Sequence, residues 1–103
     1  MYGITRKDRS VLFSIFFKCQ NSIEKVYLFG SRARGDYKKN SDLDLAINFK
    51  SPVKNNIYTE FENSVLPYTV DVVNYSSNKN LNLERNIKKD GKLLFLTQGE
   101  ISN

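Results

Sequence analysis

Asp42 and Asp44, separated by one leucine, are residues whose spacing can do chemistry. Successive side chains of a strand point to opposite faces. Asp42, just ahead of the run Leu43 to Phe49 (LDLAINF), and Asp44 within it therefore share a face, while Leu43 and Leu45 take the other. Two acids so close repel, and without a neutralising partner one of them would keep its proton. A divalent cation is the natural neutraliser, and oxygen donors without histidine or thiolate favour Mg²⁺ or Mn²⁺. The plainer reading, and the commoner one for an isolated Asp-x-Asp, puts one or both in a solvated loop where the strand begins.

Asp71 alters that balance. It stands between Val70 and Val72 in the apolar run Thr69 to Asn74 (TVDVVN), where a carboxylate is costly unless paired or metal-bound. If this strand neighbours the LDLAINF strand, three carboxylates converge. Such a group can hold two metal ions and serve phosphoryl or nucleotidyl transfer. The competing reading is an edge-strand aspartate facing water. Gly30 and Ser31 directly follow another strand-like run, Lys25 to Phe29 (KVYLF). Glycine lets the backbone approach a phosphate closely, and free amides at the start of a helical turn can cradle phosphate oxygens. Arg32 and Arg34 are placed to brace a triphosphate, although solvated arginines would look the same.

The elements that must position these groups are legible along the chain. Thr5 and Asp8 have the spacing of a capping box, and Val11, Leu12, Ile15, Phe16 and Cys19 fall on one helical face. The spacing predicts a first helix from about Lys7 to Gln20. The apolar run Val11 to Phe17 is too short to span a bilayer and reads as part of that helix. Ser31 to Gly35 predicts one short helical turn. Ser51-Pro52 is a stop after the second strand. Ile57, Phe61 and Val65 predict a helix over Asn56 to Leu66, terminated by Pro67. Asn82 to Asp90, with Leu83 and Ile87 inward, predicts a last helix closed by a glycine cap at Gly91. Lys92 to Leu96 (KLLFL) is the last strand, and the tail beyond Gln98 is expected to fray. The order α, β, short α, β, α, β, α, β predicts an α/β (α+β) fold, a small mixed sheet with helices packed on it; strand order does not follow from the pattern.

Composition narrows the chemistry. The 103 residues predict one domain, residues 1–103, with a single core. A lone cysteine, Cys19, permits no internal disulfide and suits a reducing cytoplasm. The absence of histidine excludes Ser-His-Asp and Cys-His hydrolases and histidine-ligated zinc. A net charge of +5 favours an anionic partner. Lys38, Lys39, Arg85, Lys88 and Lys89 are not interleaved with aromatics, so they read as a solvated face rather than a nucleic-acid surface. Tyr37 reads as a packing residue.

Taken together, Gly-Ser, ten residues, Asp-x-Asp, then a third aspartate on a later strand resembles the minimal nucleotidyltransferases of the DNA polymerase β-like superfamily. The resemblance covers Val26 to Val73 closely. It implies that Gly30 and Ser31 grip a triphosphate, that Asp42 and Asp44 are metal ligands, and that Asp71 binds one metal and helps deprotonate the acceptor. The cofactors implied are two Mg²⁺ ions, with ATP as substrate. A domain this small resembles the antitoxin of HEPN–MNT toxin–antitoxin pairs. That likeness implies transfer of AMP from ATP to a tyrosine of a cognate HEPN ribonuclease toxin, in a hetero-oligomer away from any membrane. HEPN toxins need an Arg…His motif, so a chain without histidine is not the toxin. Two other readings stand beside it. One is an antitoxin acting by stable binding alone; the other is a small-molecule, aminoglycoside-type nucleotidyltransferase.

Overall fold

A computed structural model describes residues 2–50, 57–76 and 80–97. The elements run α1 (Arg6–Lys18), β1 (Ile23–Phe29), α2 (Ser31–Arg34), β2 (Leu43–Phe49), α3 (Ile57–Glu62), β3 (Val70–Asn74), α4 (Leu81–Asp90) and β4 (Lys92–Leu96). The stop expected at Ser51-Pro52, the start of the third helix at Asn56 and the tail beyond Gln98 lie outside the described residues.

The four strands form one mixed sheet in the order β3-β2-β1-β4. β1 pairs antiparallel with both β2 and β4, whereas β2 and β3 run parallel. A parallel pair needs a crossover, and α3 sits in the connection between β2 and β3.

The alternation of β2 is well resolved. Leu43, Leu45 and Ile47 are fully buried and join Val26 and Leu28 of β1 in the main core. Helices α1 and α3 supply Leu12, Ile15, Phe16, Ile57 and Phe61 to the same cluster. Phe16 lies at its centre, edge-on to Phe13 and Phe61 and tilted against Phe95 of β4. Each such buried side chain contributes about 1.5–3 kcal/mol. Asp44 and Ala46 necessarily point to the other face. Helix α4 lies against β1, and Ile87 and Ala46 are buried apart from the main cluster. Among the described residues, no helix is long and apolar enough to cross a membrane.

Local chemistry accounts for the element ends. Thr5 caps α1, its hydroxyl accepting from the Asp8 amide at 3.1 Å. Asn80 caps α4, its side-chain oxygen accepting from the Asn82 and Leu83 amides. Two expectations need correction. Helix α1 ends at Lys18, with Cys19 as its C-cap, not at Gln20. Helix α3 ends at Glu62, five residues before Pro67, because Ser64 takes the Phe61 carbonyl through both its amide (3.1 Å) and its hydroxyl (2.7 Å). Val65 is consequently 75 % exposed rather than inward. Gly91 does cap α4, donating to the Ile87 carbonyl at 2.8 Å, but in an extended conformation (φ −63°, ψ 143°), not a left-handed one. Glycine is required there for space: a Cβ would strike the Ile87 carbonyl oxygen.

Candidate active site

The sheet brings the two halves of the acidic motif to one place. β1 and β2 pair so that Phe29 opposes Asp44, and Gly30 follows immediately as the N-cap of α2. Gly30 has φ 76° and ψ −158°, a conformation open essentially to glycine alone. The space beside it is filled: a Cβ there would collide with the Asp44 carboxylate. The turn after β1 and the acid of β2 are therefore in direct contact, and any larger residue at position 30 would push them apart. Ser31 opens a four-residue helical turn, ending at Gly35 in the left-handed conformation with its amide on the Ser31 carbonyl at 2.9 Å. The first amides of a helix have no partner within it, so this turn presents donors beside the carboxylate.

Asp71 reaches the same place from β3. In the parallel ladder Asp44 is the direct partner of Asp71, with Leu43 opposite Val70 and Leu45 opposite Val72. The two carboxylates thus leave one rung on one face. Asp42 lies one residue ahead of β2 and is exposed. The plainer reading of the pair thus holds for Asp42, which stands at the mouth of the strand, and not for Asp44, which lies within it. Burial, followed by the like charges of Asp71 and Asp42, pushes the Asp44 carboxyl above its ordinary value, and the Arg34 guanidinium pulls in the opposite direction.

The cost of this cluster falls elsewhere than its sequence indicates. β3 is an edge strand and Asp71 is exposed, so the acid flanked by valines is the solvated one. The half-buried acid is Asp44, on a central strand.

The donors fit a magnesium ion in kind. They are hard carboxylate oxygens whose mutual repulsion a divalent cation would relieve. Among the described residues, however, no three acids converge tightly enough to enclose an ion by themselves. Magnesium typically takes only one or two carboxylates and completes its shell with water and substrate phosphates, so an open acidic face suits a metal that arrives with a triphosphate.

The two arginines part company. Arg34 is exposed, paired with Asp36 at 3.4 Å, and close enough to act on Asp44. Arg32 does not take up the triphosphate-bracing position expected of it. It is 1 % exposed, its guanidinium donates to the carbonyls of Tyr2, Lys39 and Ser41, and it lies against the rings of Tyr37 and Tyr68. Tyr37, 36 % exposed, packs only in part, with its ring against the Arg32 guanidinium. Tyr68 was not singled out by its sequence context. Its hydroxyl donates to Asp8 at 2.9 Å, and the only clue was an aromatic residue beside Pro67. A cleft of about 310 Å³ is lined by Val70 and Val72, the neighbours of Asp71, along with Tyr58, Phe61 and Tyr68. It therefore opens on the opposite face of β3 from the acids.

Comparison with known proteins bears on the family and the fold. The family described as Polymerase beta, Nucleotidyltransferase matches residues 14–100. A Haemophilus influenzae protein named "Probable protein adenylyltransferase MntA" is 39% identical over 56 residues, covering 50% of this chain and 49% of that protein. The chain thus spans about half the length of that relative. A Methanocaldococcus jannaschii protein named "Putative protein adenylyltransferase MJ1217" is 29% identical over 90 residues, covering 84% of this chain and 87% of that protein. A chain in the crystal structure of a toxin-antitoxin with AMP-PNP superimposes with a TM-score of 0.70 at 24% identity, covering 88% of this chain and 75% of that one, which shows a shared fold. With the Gly-Ser turn packed on the Asp-x-Asp strand and the third acid opposite Asp44 on the neighbouring strand, this chain belongs to the polymerase beta nucleotidyltransferase family.

Proposed function

We propose that residues 1–103 act as a single-domain, magnesium-dependent antitoxin that transfers AMP from ATP to a tyrosine hydroxyl of a cognate HEPN ribonuclease toxin. The observation that carries the reading is the packing of Gly30 against Asp44 with Asp71 on the same rung. The names of the two relatives, both protein adenylyltransferases, and the fold shared with a toxin-antitoxin support the acceptor class.

The roles follow from position. Gly30 and Ser31 admit the triphosphate close to the backbone and donate to its oxygens. Arg34 adds positive charge on the same side as Asp44. Asp42, Asp44 and Asp71 would hold two Mg²⁺ ions, which when bound supply charge neutralisation at the phosphates. Asp71, exposed on the edge strand, is the one an incoming acceptor meets, and it takes the tyrosine proton. The tyrosine oxygen forms a bond to the α-phosphorus, the bond from that phosphorus to the bridging oxygen breaks, and pyrophosphate leaves. Most of the acceleration comes from alignment and charge stabilisation. A hetero-oligomer with the toxin in the cytoplasm is the setting this reading requires.

The test is to incubate the protein with ATP, Mg²⁺ and the toxin, then to analyse both chains by mass spectrometry. AMP on a toxin tyrosine, lost with Asp42→Asn and Asp44→Asn, is the expected result. A toxin neutralised equally well by those variants would make this a binding antitoxin. AMP on an aminoglycoside-type small molecule, with the toxin unmodified, would move the acceptor to another class.

A further inference from the structure

We propose that Arg32 is a positioning residue for the acidic site, fixing the backbone from which Asp42 projects. The inference rests on the reading of Asp42 as part of the metal–nucleotide site.

The geometry is specific. Nε and Nη2 of Arg32 both donate to the Ser41 carbonyl, at 3.2 and 2.9 Å. Nη2 also reaches the Lys39 carbonyl at 3.3 Å, and Nη1 donates to the Tyr2 carbonyl at 3.0 Å. A peptide unit is planar, so holding the Ser41 carbonyl also holds the Asp42 amide and Cα. On the far side of Asp42, the Leu43 amide donates to the Thr69 carbonyl at 2.9 Å. Asp42 therefore sits between two anchored peptide planes, one tied to α2 and the other to the segment leading into β3. The loop is closed further by the Ser41 hydroxyl, which accepts from the Lys38 amide at 2.7 Å, and by the Ser41 amide on the Lys38 carbonyl at 3.0 Å.

The guanidinium is also in contact with two aromatic rings. Its centre lies 4.4 Å from the Tyr68 ring and 5.3 Å from the Tyr37 ring, an arrangement that favours a planar cation. Gly3 contributes by having no side chain, since a Cβ there would come within 2.8 Å of Nη1. A buried charge needs its donors satisfied, and three carbonyls do this through a fork that only arginine offers.

The segment Gly30 to Arg32 thereby sets both members of the Asp-x-Asp pair. Gly30 admits Asp44 by the absence of a side chain, and Arg32 places Asp42 by hydrogen bonds. Acting through the backbone, Arg32 is a positioning residue and touches no substrate.

The test compares wild type, Arg32→Lys and Asp44→Asn. Mn²⁺ affinity is measured by electron paramagnetic resonance in the presence of AMP-PNP, and AMP-PNP affinity in EDTA by calorimetry. Arg32→Lys is expected to weaken Mn²⁺ binding by about tenfold or more, as loss of a ligand-orienting partner does. Metal-free AMP-PNP binding should then change by less than about twofold, because Gly30 and Ser31 are untouched. Unchanged Mn²⁺ affinity in a folded Arg32→Lys protein overturns the proposal. So does a loss of metal-free nucleotide binding as large as the loss of Mn²⁺ binding, which would make Arg32 a phosphate ligand or a mere prop. If Arg32→Lys does not fold, Tyr37→Leu removes one ring from the clamp at a position 36 % exposed. Weaker Mn²⁺ binding in that variant supports the clamp, and no change sinks it. Asp44→Asn reports separately on the underlying site: wild-type Mn²⁺–AMP-PNP binding there would remove the acidic-site reading itself.

Discussion

Asp44 and Asp71 stand on the same rung of the parallel β2–β3 ladder, yet one is half-buried and the other is open to water. The difference comes from strand order. β2 is flanked on both sides, whereas β3 is an edge. Like charges on one rung repel, and the half-buried member bears the burden because burial adds to the repulsion. On the proposed reading this asymmetry divides the work: Asp44 would hold charge near the triphosphate, and Asp71, exposed at the sheet edge, would meet the acceptor.

The raised Asp44 value gives a pH signature. A carboxyl that binds its proton more tightly in the folded state supplies stability that is fully present below its unfolded value. That stability is lost as pH rises through its folded value. At neutral pH and without metal, the ionised Asp44 therefore destabilises the fold. Asp44→Asn should be more stable than wild type in EDTA at pH 7, and the gap should close as pH falls below the folded value toward the ordinary carboxylate range. Urea melts of both proteins from pH 7 to pH 4 would check this; a gap that widens on acidification would be the wrong sign.

Gly30→Ala attacks the site from the other side. The new Cβ would collide with the Asp44 carboxylate at a backbone conformation that disfavours any side chain. Strain of this kind costs about 1–3 kcal/mol, so the protein should remain folded with a lowered melting point. Activity should fall much further, by about 100-fold or more, because displacing a reacting group by an ångström is enough for that. An alanine variant with normal turnover would show that the Gly30–Asp44 contact is incidental.

Much of this arrangement was legible in the residues. The β2 bounds, Leu43 to Phe49, followed from alternation, and the Thr5–Asp8 spacing marked the start of α1. What stayed hidden was long-range. Nothing in TVDVVN decides between a costly interior acid and an edge-strand acid facing water; strand order makes Asp71 the edge acid and places the cost on Asp44. Arg32 and Arg34 look alike two residues apart in a basic turn, and only the fold shows one buried against rings and the other in solvent. The end of α3 depended on whether Ser64 would take the Phe61 carbonyl, a choice that periodicity does not register.

The scaffold beneath the site makes its own prediction. Phe16 is fully buried among Phe13, Phe61 and Phe95, joining α1 to α3 and β4. Phe16→Ala should cost about 3–5 kcal/mol through lost burial and the cavity left behind. That is a large share of the roughly 5–15 kcal/mol that holds a small domain together, so partial unfolding at 37 °C is expected. Denaturant melts would check the magnitude, and Phe16→Leu should recover much of the loss.

Asp71→Asn separates holding the nucleotide from activating the acceptor. Asp71 lies at the open edge of the rung, with Asp44 between it and the Gly30 turn. If its main task is to take the acceptor proton, its amide variant should still bind ATP, with KM for ATP changed only a few-fold, while kcat falls by about 10²–10⁴. Asp44→Asn, which removes the carboxylate packed against Gly30, should lose ATP binding and turnover together. Steady-state kinetics on both variants discriminates the two roles. An Asp71 variant whose KM rises while kcat holds would place this carboxylate in nucleotide binding and leave the proton to another acceptor.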